Sequence, residues 1–98
     1  MGKVIERTVN AERVEDLITV FGSFDENTKL LEREYGVSIV NRDTELKEVG
    51  EAEAVMRAKA AVEALLQLAA RGEQITQQNV NYVVSLVRDG QEGQIAQM

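Results

Sequence analysis

An α/β sandwich, with elements in the order β-α-α-β-β-α and one further helix, is the architecture this 98-residue chain predicts. Three observations lead there. Apolar residues alternate with period two in some stretches and recur at helical spacing in others, which separates strands from helices. The helical patterns end on glycines, at Gly22, Gly36, Gly72 and Gly90, the residue best suited to the turn just past a helix end. There is no proline, no internal repeat and no linker, so residues 1–90 are expected to form one domain followed by a tail, 91–98.

"KVIERTVN" sets Ile5, Arg7 and Val9 on one side and Val4, Glu6 and Thr8 on the other, as a strand does. Asn10 suits the N-cap of a helix over residues 11–21, whose Val14, Leu17, Ile18 and Phe21 would form its buried stripe. A second helix is expected from Asp25 to Tyr35, with Leu30, Leu31 and Tyr35 inward. "VSIV" is a short β-branched strand and "NRDT" a polar turn. "ELKEV" makes a weaker strand, because Leu46 and Val49 share a face only if a bulge intervenes. The third helix, Ala52 to Arg71, carries Val55, Ala58, Val62, Leu65, Leu66 and Ala69 on one stripe. Thr76 caps a last helix whose Val80, Val83, Val84 and Val87 are expected to cover the helical side of the sheet.

Composition narrows the function. Without cysteine there is no disulfide, thiol nucleophile or thiolate metal site, and without histidine the commonest general base and zinc ligand are missing. Serines and threonines have no histidine to activate them. Carboxylate groups such as Glu51/Glu53 and Glu12/Glu15/Asp16 stand near helix starts, where acids are favoured by the dipole as ordinary surface residues. Met1, Met56 and Met98 form no cluster. No apolar run is long enough to span a membrane, no signal peptide is visible, and a reducing cytoplasm is the expected setting. A net charge of −6, from 11 basic and 17 acidic residues, works against strong binding of nucleic acid by the chain alone.

The order β-α-α-β-β-α resembles the type I KH arrangement, which implies a three-stranded antiparallel sheet backed by helices. "VFGSFDENTKLLEREYGVSIV" is similar to the KH signature: Val20 and Phe21 match its apolar pair, Gly22 the first loop glycine, Lys29 and Leu31 the helix, Gly36 the terminal glycine and Ile39 the strand. The departure is Asp25, where a KH loop has its second glycine. Residues 15–90, with F-G-x-x-D-x-N, G-V-x-I, N-R-D, the alanine-rich helix and "ITQQNVNYVVSLV", look like the N-terminal domain of bacterial PhoH-like proteins of the phosphate-starvation-inducible type. Thr28 differs from those relatives, where an apolar residue is more usual. That resemblance implies a small domain preceding a P-loop ATPase domain. This chain has no G-x-x-x-x-G-K-[ST], so ATP and magnesium are expected only in a domain absent from it, toward which the tail would lead.

The loop Gly22-Ser23-Phe24-Asp25 then has two readings. In the first it is a KH-like site for RNA or other single-stranded nucleic acid. Gly22 sets the corner, Ser23 or Asp25 caps the helix, Phe24 stacks on a base, and Lys29, Arg33 and, peripherally, Arg42 meet phosphates. In the second it is a capped corner: Ser23 and Glu26 form a capping box, Phe24 packs beneath it, and Lys29 and Arg33 pair with Glu32 and Glu34. The domain would then serve docking to its own ATPase domain or homo-oligomerisation, with the last helix as the candidate surface. No enzyme complete within these residues is expected.

Overall fold

The computed structural model describes residues 3–22 and 25–88. Its elements are β1 (Val4–Asn10), α1 (Val14–Phe21), α2 (Glu26–Tyr35), β2 (Ser38–Arg42), β3 (Glu45–Glu51), α3 (Ala52–Ala70) and α4 (Gln77–Arg88). The sheet is antiparallel throughout, in the order β1-β3-β2; α3 and α2 pack against it, and α1 and α4 pack on those two helices, as an α+β fold.

β3 is the central strand, longer than expected, and it needs no bulge. Its register with both neighbours is continuous, so Leu46 and Glu48 face the helices while Val49 faces the open side. The turn before it is shorter than "NRDT": Asn41 and Arg42 belong to β2, and Asp43–Thr44 alone connect Arg42 to its partner Glu45. Asp43 takes a left-handed φ of 55°, which aspartate tolerates better than most residues.

α1 starts three residues later than expected, because Asn10 stays in the strand and Arg13 takes the N-cap position. The Arg13 guanidinium donates to the Asp16 carboxylate at 3.0 Å, which allows Asp16 to be buried. The stripe is rotated accordingly. Leu17, Val20 and Phe21 are inside, whereas Val14 and Ile18 are 44% and 63% exposed.

α3 spans the molecule and buries Val55, Ala58, Ala61, Val62, Ala64, Leu65, Leu68 and Ala69, with Leu66 only half-buried. Its alanines let neighbours approach closely, and each fully buried leucine or valine contributes roughly 1.5–3 kcal/mol. α4 packs on α3 and α2 rather than on the sheet. All four of its expected valines are buried. Its start is a reciprocal cap: Asn79 N–H donates to Thr76 Oγ1 and Thr76 N–H to Asn79 Oδ1, each at 3.1 Å. Gly90 and residues 91–98 lie outside the described residues.

Candidate functional site

The corner between α1 and α2 is built on Gly22. Its φ of 78° and ψ of −177° lie in a region that essentially only glycine enters. A Cβ there would also stand 2.7 Å from Asn27 Nδ2. That amide is committed: it donates to the Val20 carbonyl at 3.0 Å, closing the end of α1 onto the first turn of α2. Asn27 is buried, and its Oδ1 has no hydrogen-bond partner among the described residues.

Asp25 occupies the N-cap position of α2, but its side chain makes no capping hydrogen bond. Its backbone is left-handed, φ 58° and ψ 29°, and its N–H donates to the Gly22 carbonyl at 3.3 Å. Glycine takes that conformation without strain. The position of the missing second glycine therefore keeps a glycine-like backbone, with a carboxylate added. Ser23 and Phe24 lie outside the described residues, and with them the capping box and the stacking aromatic.

A shallow cleft of about 150 Å³ separates this corner from β2, lined by Phe21, Asp25, Thr28, Ile39 and Asn41. Phe21 and Ile39 supply apolar walls, and the Thr28 hydroxyl is buried without a partner among the described residues. α2 is fixed beside β2 by Glu32, whose carboxylate accepts from the Ile39 N–H at 2.9 Å. Lys29 and Arg33, one helical turn apart, are exposed. Neither forms an ion pair among the described residues, so the expected pairing with Glu32 and Glu34 is not made.

Arg42 is separated from this group. Alternation along β2 sends Ile39 and Asn41 to the helical face and Val40 and Arg42 to the open face, where Arg42 lines a small depression with Glu45 and Lys47. Asn41, in the cleft, was missed because "NRDT" read as a turn; extending the alternation from Ile39 would have found it. Asn27 carried no signal beyond its place in F-G-x-x-D-x-N, since a buried asparagine interrupts the apolar stripe it belongs to.

One titration is displaced. Glu48, fully buried on the helical face of β3, has no hydrogen bond to either carboxylate oxygen among the described residues. Burial, reinforced by Glu63 and offset by Lys59, pushes its pKa up from 4.5 to about 7. Among the described residues no group of three or more potential ligands is placed to hold a metal, and no helix is long and apolar enough to cross a membrane.

No family model matches the chain, and no curated protein does. The fold is similar to the crystal structure of a protein of unknown function from Aeropyrum pernix, at a TM-score of 0.67 and 16% identity. The match covers 97% of this chain and 52% of that one, so this chain spans about half the length of that protein. At that identity the likeness is one of fold.

Proposed function

We propose that this chain is a non-catalytic KH-like module that binds single-stranded nucleic acid, RNA in the first place, across the cleft between the α1–α2 corner and β2. In this reading it belongs to a PhoH-like parent of the bacterial cytoplasm and presents the strand to a P-loop domain, where ATP and magnesium would be held. The observation that supports it is the left-handed Asp25 backbone at the second-glycine position, followed along α2 by the exposed Lys29 and Arg33, which form no ion pair among the described residues. Opposing terms set the strength. Asp25 and Glu26 repel a phosphate by about 1–4 kcal/mol at close range near a surface, and the net charge of −6 adds to that. Binding is therefore weak and falls as salt rises.

The test is a fluorescence-anisotropy titration of short single-stranded RNA at low and physiological salt. Asp25→Gly removes the carboxylate without disturbing the backbone, and is expected to tighten binding about tenfold. Lys29→Glu/Arg33→Glu is expected to abolish it. Absence of binding by both the parent chain and Asp25→Gly sinks the reading. The alternative is then docking to another protein, which the exposed Val14 and Ile18 on α1 favour.

A further inference from the structure

The two edges of the sheet are treated differently. At β2 the outward N–H of Ile39 is taken by the Glu32 carboxylate, and α2 lies along that edge. At β1 no element of the described residues covers the edge. Ala11 N–H donates to the Thr44 carbonyl and Ala52 N–H to the Lys3 carbonyl, both at 2.9 Å. With the antiparallel register between them, this fixes the odd-numbered residues of β1 as those bonded to β3. The N–H and C=O groups of Val4, Glu6, Thr8 and Asn10 therefore point away from the sheet. Among the described residues, the Arg7 guanidinium covers part of it, donating to the Glu6 carbonyl at 2.9 Å. Seven residues without proline or bulge leave an edge that no other described element covers, the arrangement that recruits another strand.

We propose that this edge is a self-association surface, at which a second copy of the chain adds its own β1 antiparallel about Thr8 and continues the sheet to six strands. Register and charge select that arrangement. Outward-pointing residues must meet outward-pointing residues, so even positions pair with even ones and both helical layers lie on the same side. A two-fold axis at Glu6 or Arg7 would set like charges directly opposite, which is unfavourable. An axis at Thr8 sets Thr8 against itself, Glu6 against Asn10 and Arg7 against Val9. The incoming Asn10 N–H then replaces Arg7 on the Glu6 carbonyl.

The helical layer agrees. A groove of about 460 Å³ runs between the C-terminal half of β1 and α3, and both Thr8 and the α3 residues Lys59 and Glu63 line it. Lys59 and Glu63 form no ion pair among the described residues. One turn apart on a helix that would meet its own copy antiparallel, they offer each sign to the opposite sign of the partner. A second copy is thus self-complementary here, whereas an arbitrary peptide strand would satisfy the edge and leave these charges unmatched.

The association is measured by sedimentation equilibrium of the full chain from micromolar to submillimolar concentration. A concentration-dependent dimer is expected. Thr8→Pro removes an outward N–H that β3 does not use, so it should give a monomer with the parent far-UV circular dichroism. Lys59→Glu should weaken the dimer about tenfold, and Lys59→Glu/Glu63→Lys should restore it. The charge pair decides the matter even where the proline disturbs folding. A monomer at every concentration, or a dimer that Lys59→Glu leaves unchanged, overturns the proposal. RNA binding plays no part in either readout, since the cleft lies along the opposite edge.

Discussion

Glu48 is the residue at which local chemistry and fold disagree most. The central strand puts its carboxylate between the sheet and α3, with no hydrogen-bond partner among the described residues, and its pKa rises to about 7. A carboxyl with a folded pKa above its unfolded value favours the folded state while protonated. That contribution is complete below pH 4.5, declines as the unfolded chain ionises, and is gone above about pH 7. The difference amounts to about 3 kcal/mol across that window. Urea unfolding should therefore show the parent chain losing about 3 kcal/mol more than Glu48→Gln between pH 4.5 and pH 8, with the variant the more stable at pH 8. Parallel pH profiles for the two would mean that the carboxyl is solvated. Gly22 makes a second residue-scale case. Gly22→Ala forces a Cβ against Asn27 and a side chain into a glycine-only conformation, and should cost about 2 kcal/mol or more. A thermal melt within a degree or two of the parent's would show that the corner relaxes around the methyl.

At the scale of elements, α4 owes its start to a local device. Thr76 and Asn79 satisfy each other's backbone donors, so Thr76→Ala should lower stability by about 1 kcal/mol, visible as a reduced urea midpoint at unchanged slope. That cap was legible in the sequence, as were all seven elements and their order, because periodicity and glycine stops are local signals. What was not legible depends on tertiary context. Val14 and Ile18 fit a helical stripe by spacing, yet the Arg13–Asp16 pair and the late start of α1 turn the helix so that Leu17 and Val20 face inward. Leu46 and Val49 seemed to require a bulge because no sequence rule places a glutamate in a core. The strand in fact alternates regularly through Glu48. The candidate site was half legible. Asp25 lines the cleft beside the Gly22 corner, Lys29 and Arg33 follow along α2 to its last turn without lining it, Arg42 goes to the other face, and Asn41 enters because β2 outlasts its apolar residues.

For the molecule as a whole, the β2 side holds the cleft, the β1 side holds the open edge, and α3 lies between, which sets two associations against one charge. Two copies at −6 each, with centres roughly 25 Å apart in water, repel by about 6 kcal/mol before screening. At 0.01 M salt the Debye length of about 30 Å leaves roughly 40% of that; at 0.15 M the length of about 8 Å leaves almost none. Raising salt over this range therefore removes about 2 kcal/mol of repulsion between copies. At the proposed interface the pairs between half-buried Lys59 and exposed Glu63 are each worth about 0.2–1 kcal/mol and lose only part of that, so the long-range term decides the sign. The proposed RNA binding should respond in the opposite sense, because its favourable part would be the release of counterions by Lys29 and Arg33. Dimerisation should thus tighten about tenfold or more between 0.01 and 0.15 M salt while RNA affinity falls, both measured on the same preparation. Thr8→Pro should abolish the first response and leave the second intact. If both affinities fall together, short-range ion pairs such as Lys59–Glu63, rather than net charge, govern the salt response of the edge.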